Sequence, residues 1–96
     1  MTQEEILSII KNSKTELESR YHILKIGIFG SVARNDIKQS SDIDIVVVLE
    51  SPALFDLIGI KQELEEKIGK SVDIVELRKN MNQFLRQRIE KEVIYV

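Results

Sequence analysis

Residues 27–49 read GIFGSVARNDIKQSSDIDIVVVL, which predicts a strand, a tight turn, a short helical segment, a polar loop and a second strand. Asp42 and Asp44 stand at the head of the second strand, which is predicted over residues 43–49 and continues through an unbroken apolar run. Because side chains alternate along a strand, both carboxylates point to the same side. Neighbouring carboxylates repel each other, and a divalent cation bound to their oxygens would offset that cost.

The turn between the strands contains Gly30 and Ser31. Glycine allows the backbone to approach a phosphate closely, and the N–H groups that open the following helix, predicted over residues 32–35, can bind an anion. Alone, the pair is also compatible with an ordinary strand-to-helix turn in which Ser31 is the N-cap. Next to Asp42 and Asp44, it favours phosphate binding.

The chain has 96 residues, which predicts a single domain over residues 1–96. A net charge of -2 and an aromatic content of 5% argue against a nucleic-acid-binding surface. The chain has no cysteine, so a disulfide framework is excluded and a cytoplasmic location is expected. No apolar run reaches membrane-spanning length, and we expect no signal peptide.

The flanking segments alternate between helical and strand patterns. The predicted helices cover residues 3–19 behind a Thr2–Glu5 capping box, residues 52–68 with Ser51 as N-cap and Gly69 as C-cap, and residues 81–90 with Asn80 as N-cap. The predicted strands cover residues 21–29, buried on both faces, and residues 71–77; residues 93–96 form either a further strand or a partner contact. This alternation predicts an α/β fold in which helices pack on a small mixed sheet.

One face of the middle helix is predicted to be apolar, and its residues are Leu54, Leu57, Ile58, Leu64 and Ile68. An acidic residue in the third predicted strand, Asp73, is flanked by valine and isoleucine, which is as anomalous as Asp42. Glu76 is a weaker candidate than Asp73 for the third carboxylate, because its side chain belongs to the opposite face of the strand. The single histidine, His22, is interpreted as a surface or partly buried polar residue.

The residues GSVAR, followed by a polar loop and SDIDIVV, resemble the signature of the nucleotidyltransferase superfamily that includes DNA polymerase beta. The short chain resembles the minimal nucleotidyltransferases, which are antitoxin-type prokaryotic proteins that partner small helical HEPN proteins. The motif covers residues 30–44, and the order of elements agrees from about residue 23 onward. Family members usually have glycine where this chain has Asn35, a mild departure because asparagine tolerates the left-handed conformation.

The resemblance implies a polymerase beta-like fold and transfer of AMP from ATP with release of pyrophosphate. It assigns catalysis and the binding of two Mg²⁺ ions to Asp42, Asp44 and Asp73. The implied nucleotide-binding residues are Gly30, Ser31, Arg34 and Ser41. Taken alone, Arg34 could equally be a solvated helix residue.

The resemblance also implies the acceptor, which is the hydroxyl group of a tyrosine on a HEPN-type toxin that forms a hetero-oligomer with this chain. Larger relatives carry an additional acceptor-binding domain, and a chain of 96 residues leaves no room for one. Two alternatives stay open at this point. The chain could be an inactive antitoxin that acts by contact alone, or a small-molecule nucleotidyltransferase completed by a separate helical subunit.

Overall fold

The computed structural model describes residues 1–38, 42–51 and 53–96. Within these ranges helices and strands alternate from the first helix to the last strand. The helices are α1 (Gln3–Tyr21), α2 (Gly30–Ala33), α3 (Leu54–Ile68) and α4 (Gln83–Glu92). The strands are β1 (Ile23–Ile28), β2 (Ile43–Leu49), β3 (Val72–Glu76) and β4 (Ile94–Tyr95).

The strands form one mixed sheet in the order β3-β2-β1-β4. Strand β2 pairs antiparallel with β1 and parallel with β3, and β4 pairs antiparallel with β1. The apolar tail is therefore a strand, and the Val96 N–H donates to the Ile26 carbonyl at 3.0 Å. The predicted mixed sheet is confirmed.

Helices cover both faces of the sheet. Helices α1 and α3 pack on one face, where the main core contains Ile6, Ile10, Ile26, Ile45, Ile60 and Leu64. Helix α4 packs on the other face, where Ile89 contacts a smaller cluster with Phe29 and Val46. A sheet buried between helices explains why β2 is almost continuously apolar.

Two predictions about buried faces are wrong in part. Leu24 in β1 is 58% exposed, and it lies where the register with β2 shifts between Ile23 and Lys25, so the regular alternation of the strand is interrupted there. In α3, Leu54 is 70% exposed and Ile58 is also exposed, while the fully buried stripe is Ile60, Leu64 and Ile68. Steps of four residues in an α-helix keep this stripe on one side, and Ile58 is turned well away from it.

Several helix termini differ from the sequence prediction. Helix α3 begins at Leu54 behind Ala53, so Ser51 is not its N-cap. Helix α4 begins behind Asn82, whose side chain accepts from the Leu85 N–H, so Asn80 is not its N-cap. Helix α1 has the predicted capping box and ends at Tyr21, two residues later than predicted, with the exposed His22 as a C-cap in the left-handed conformation. None of the helices in the described ranges is long and apolar enough to cross a bilayer.

Candidate active site

Two of the predicted carboxylates are neighbours on adjacent strands. Asp44 in β2 is the register partner of Asp73 in β3, and both project from the face on which α4 packs. Asp42, just before β2, is exposed. Glu76 belongs to the opposite face beside Val47 and is only 8% exposed. The strand register therefore places Asp73, and not Glu76, next to Asp44.

The Asp44 side chain lies against the turn that follows β1. The Phe29 N–H donates to the Asp44 carbonyl at 3.1 Å, which joins the end of β1 to the start of β2. Gly30 has a φ of +70°, and a methyl group built on its Cα would overlap Oδ2 of Asp44. Glycine is therefore required at position 30 both by the backbone conformation and by the lack of space.

Helix α2 is held in place by contacts from α1. The Gln3 side-chain amide donates to the carbonyls of Val32 at 2.8 Å and Ala33 at 3.1 Å, which satisfies acceptors at the end of this short helix. The helix begins at Gly30 with Phe29 as N-cap, so Ser31 lies inside the first turn and is not its cap. The predicted helix over residues 32–35 therefore begins and ends earlier than expected.

The residue that departs from the family pattern, Asn35, has a φ of 58°. It adopts the left-handed conformation, which asparagine tolerates better than most residues. Asparagine thus occupies the position at which the chain leaves α2 without the strain that a β-branched residue would carry.

A carboxylate from α4 contacts the same turn. Glu92 accepts a hydrogen bond from the Gly30 N–H at 3.0 Å and forms an ion pair with Arg34, with 2.8 Å between Nη1 and Oε1. Arg88, one helical turn earlier, lies 3.7 Å from the same carboxylate. The two proposed phosphate donors, the Gly30 N–H and Arg34, are therefore both bound to one carboxylate.

The two carboxyl groups at the turn respond to opposite environments. The pKa of Asp44 is raised, first by burial and then by Asp73, against the opposing attraction of Arg88 and Arg34. Burial also acts to raise the pKa of Glu92, but the Gly30 N–H and the two arginines outweigh it and the pKa is lowered. The ionised form of Glu92 is thus favoured on balance, whereas at Asp44 burial and the neighbouring aspartates outweigh the two arginines.

The chemistry of the carboxylates suits a hard cation such as Mg²⁺, which prefers oxygen ligands. The raised pKa of Asp44 favours a cation at this position, because a nearby cation would stabilise the ionised form of the carboxyl. Within the described ranges, no three acidic or histidine side chains are close enough together to form a metal site. The predicted nucleotide-binding residue Ser41 lies outside the described residues.

Two residues of this region were missed as site residues by the sequence analysis. Arg88 and Glu92 are far along the chain from Gly30, and their charges are typical of a solvated helix end. The one local signal is their spacing of four, which places them on the same side of α4. Only the packing of α4 on the sheet shows that this side reaches the turn.

The first prediction concerns the contact between Gly30 and Asp44. We expect Gly30→Ala to lower the free energy of unfolding by about 2–4 kcal/mol, since it combines a left-handed conformation with an overlap. Gly69→Ala is the matched control because Gly69 has a φ of +77° with nothing within 4 Å of the added methyl group. It should lose only about 1–2 kcal/mol.

Urea denaturation of both variants measures these values, and a double-mutant cycle with Asp44→Ala isolates the contact. Removing the Asp44 carboxyl should recover part of the Gly30→Ala loss and none of the Gly69→Ala loss. Equal losses for the two glycine variants would show that Asp44 imposes no constraint on the turn.

The second prediction concerns the charge of Asp44. In metal-free buffer at neutral pH, Asp44→Asn should melt at or above the temperature of the parent, because burial and Asp73 disfavour the ionised carboxyl. A raised folded-state pKa means that this carboxyl costs stability as pH rises from its ordinary pKa through the raised one. The advantage of the variant should therefore be complete above that interval and vanish below it.

Thermal melts across this pH range measure the difference, with Asp36→Asn as the control for loss of one exposed negative charge. The control should show no such pH-dependent gain. A variant that melts well below the parent at neutral pH would instead give Asp44 a structural role.

Comparison with known proteins identifies the family. The sequence matches the family described as "Polymerase beta, Nucleotidyltransferase" over residues 5–96. It is 37% identical over 97 residues to protein adenylyltransferase MntA of Thermococcus cleftensis, covering 100% of this chain and 97% of that protein. It is 34% identical over 96 residues to MJ0126 of Methanocaldococcus jannaschii, provisionally named a protein adenylyltransferase, covering 99% and 98%.

Solved structures share the fold. One, provisionally described as a minimal nucleotidyltransferase, has a TM-score of 0.79 and 32% identity, covering 98% of this chain and 95% of that one. A toxin–antitoxin structure with AMP-PNP has a TM-score of 0.72 and 23% identity, covering 88% and 69%. A tri-AMPylated Shewanella oneidensis HEPN toxin in complex with MNT antitoxin gives 0.60 and 19%, covering 97% and 66%. With its full-length similarity to MntA, the chain belongs to the polymerase beta nucleotidyltransferase family, among the minimal nucleotidyltransferases.

Proposed function

We propose that this protein transfers AMP from ATP to a hydroxyl group of a HEPN-type helical partner and so acts as the antitoxin of a toxin–antitoxin pair. The observation that carries the proposal is the placement of Asp44 between Asp73 on the next strand and the Gly30 turn. Carboxylates beside a phosphate-binding turn are the elements that phosphoryl transfer requires. The similarity to MntA favours a protein as the acceptor.

The nucleotide is proposed to bind with its terminal phosphates at the turn. Gly30 offers a backbone N–H, and Ser31 in the first turn of α2 offers a second N–H and a hydroxyl. Arg34 closes α2 and presents its guanidinium to the same place, where its planar donors suit phosphate oxygens. Ser41 completes the proposed set on sequence grounds. The AMP-PNP in a structure of the same fold supports a triphosphate as the ligand.

The reaction is proposed to be an in-line displacement at the α-phosphorus. A bond forms between the acceptor oxygen and the α-phosphorus, the bond to the oxygen bridging the β-phosphorus breaks, and pyrophosphate leaves with that electron pair. Asp73 accepts the proton of the acceptor hydroxyl. Asp42, Asp44 and Asp73 would have to draw closer together than they are in this structure to hold Mg²⁺ ions, and bound ions would neutralise charge on the attacking and leaving oxygens.

The partner is proposed from similarity in fold. The HEPN toxin in the structure described above is tri-AMPylated and in complex with an MNT antitoxin. We therefore propose that this chain binds a HEPN-type protein and modifies it, with a tyrosine hydroxyl as the acceptor. Asp73 is exposed, so that an acceptor side chain from another protein can reach it.

The third prediction tests the reaction. With Mg²⁺ and the copurified partner, label at the α-phosphate of ATP should become covalently attached to the partner, and label at the γ-phosphate should leave as pyrophosphate. Mass spectrometry of the partner should show the mass of added AMP. Asp42→Asn should lose the α-label because it removes a proposed metal ligand.

Other outcomes of this experiment have defined meanings. Attachment of the γ-label would make the protein a kinase and would contradict the proposal. Attachment of neither label to a partner that is nevertheless inhibited would indicate an inactive antitoxin. Recovery of the α-label in a small molecule would indicate a small-molecule nucleotidyltransferase.

The fourth prediction tests the role of Asp73. Asp73→Asn should lower turnover by about 10²–10⁴-fold, the range for loss of a proton acceptor, with little change in AMP-PNP affinity. Glu76→Gln is the matched control, because Glu76 lies on the other face of the same strand and pairs with Arg78. Single-turnover kinetics separate the binding of the nucleotide from the transfer of AMP. A larger turnover loss in the control would contradict the assignment of Asp73.

A further inference from the structure

Glu92 ends α4 and connects that helix to the turn after β1. One carboxylate oxygen accepts the Gly30 N–H at 3.0 Å, and the other lies 2.8 Å from Arg34. The side chain is only 18% exposed. Glu92 is thus a partly buried acidic group whose contacts are the donors proposed for a nucleotide phosphate.

The carboxylate of Glu92 carries a full negative charge at neutral pH. Its pKa is lowered: burial alone would raise it, but the Gly30 N–H, Arg34 and Arg88 together favour the ionised form. The ionised carboxylate accepts hydrogen bonds from a backbone N–H and from an arginine. Two oxygens of a phosphate at the same position would accept the same hydrogen bonds. The structure therefore already has an anion at this position, supplied by the chain itself.

The Gly30 N–H cannot fully serve two anions at once, and Arg34, which contacts Glu92 through one nitrogen, would have to divide its donors between them. A backbone N–H has one hydrogen, so the hydrogen bond from Gly30 to Glu92 must break before a phosphate can accept from the same N–H. A triphosphate next to an undisplaced Glu92 would also face the repulsion of like charges at short range. Nucleotide binding at this turn consequently requires that the carboxylate releases the Gly30 N–H, and repulsion from the phosphates favours its moving away from Arg34 as well.

We propose that Glu92 is an intramolecular competitor of the nucleotide, which occupies the Gly30 and Arg34 donors until a triphosphate displaces it. This inference rests on the proposed function, because it takes this turn as the phosphate site. The displaced side chain keeps a partner, since Arg88 is one helical turn away on the same side of α4. Glu92 thereby lowers the affinity for nucleotide and holds the arginine in place when none is bound.

The test compares Glu92→Gln with Glu90→Gln. Glutamine keeps the shape of the side chain but removes the charge that must be displaced. Glu90 is the matched control, because it lies on the same helix, pairs with Arg86 at 2.8 Å and contacts neither Gly30 nor Arg34. Calorimetry with Mg²⁺ and AMP-PNP, and separately with inorganic tripolyphosphate, gives the affinities.

We expect Glu92→Gln to bind both probes about tenfold more tightly and Glu90→Gln to stay within about twofold of the parent; tenfold corresponds to about 1.4 kcal/mol. Unchanged affinity in Glu92→Gln would overturn the proposal. Weaker binding would also overturn it and would make Glu92 a residue that positions Arg34 for the phosphate.

Two further measurements keep the outcome decisive. Arg34→Ala should lose affinity for tripolyphosphate; if it does not, the phosphate site of the proposed function fails, whatever Glu92 does. If Glu92→Gln does not fold, ¹³C NMR of the parent follows the Glu92 carboxyl during titration with tripolyphosphate. A carboxyl signal that stays unchanged while the Gly30 amide signal shifts would overturn the competition.

Discussion

The contact between the Asp44 carboxylate and the backbone of Gly30 is the constraint on which the rest of the site depends. The antiparallel register pairs Ile28 with Ile45 and so brings the end of β1 beside the start of β2. Any other residue at position 30 would place its Cβ in the space of Oδ2 of Asp44. Its backbone would also have to adopt the unfavourable left-handed conformation. Strand pairing in the core thus fixes how far the carboxylates lie from the turn.

The charges around this contact are divided in a way that suits a metal-bound triphosphate. Asp44 and Asp73 form the side with uncompensated negative charge, where a cation would be stabilised. Arg34 and Arg88 form the opposite side and attract anions, and the anion they hold is Glu92. The raised pKa of one carboxyl and the lowered pKa of the other are two consequences of this division.

Features that depend on local sequence were predictable. The Thr2–Glu5 capping box, the bounds of β2 and the left-handed Asn35 follow from residue types and short spacings. The caps of α3 and α4 were misplaced by two residues. Two asparagines, Asn80 and Asn82, could cap α4, and α3 begins behind Ala53 with no side-chain cap at all. The contact of Glu92 with Gly30 joins residues 62 positions apart, and no local pattern encodes it.

Helix α4 couples the packing of the sheet to the chemistry of the turn. Its buried Ile89 contacts Val46, two residues after Asp44, and Phe29, next to Gly30. Strand β4 follows directly and pairs with β1, which fixes the end of the helix. Moving the whole helix to free the turn would break these apolar contacts, at a cost of the order of 1 kcal/mol or more for each side chain exposed. Rotation of the Glu92 side chain breaks none of them, so it is the less costly way to open the turn to a phosphate.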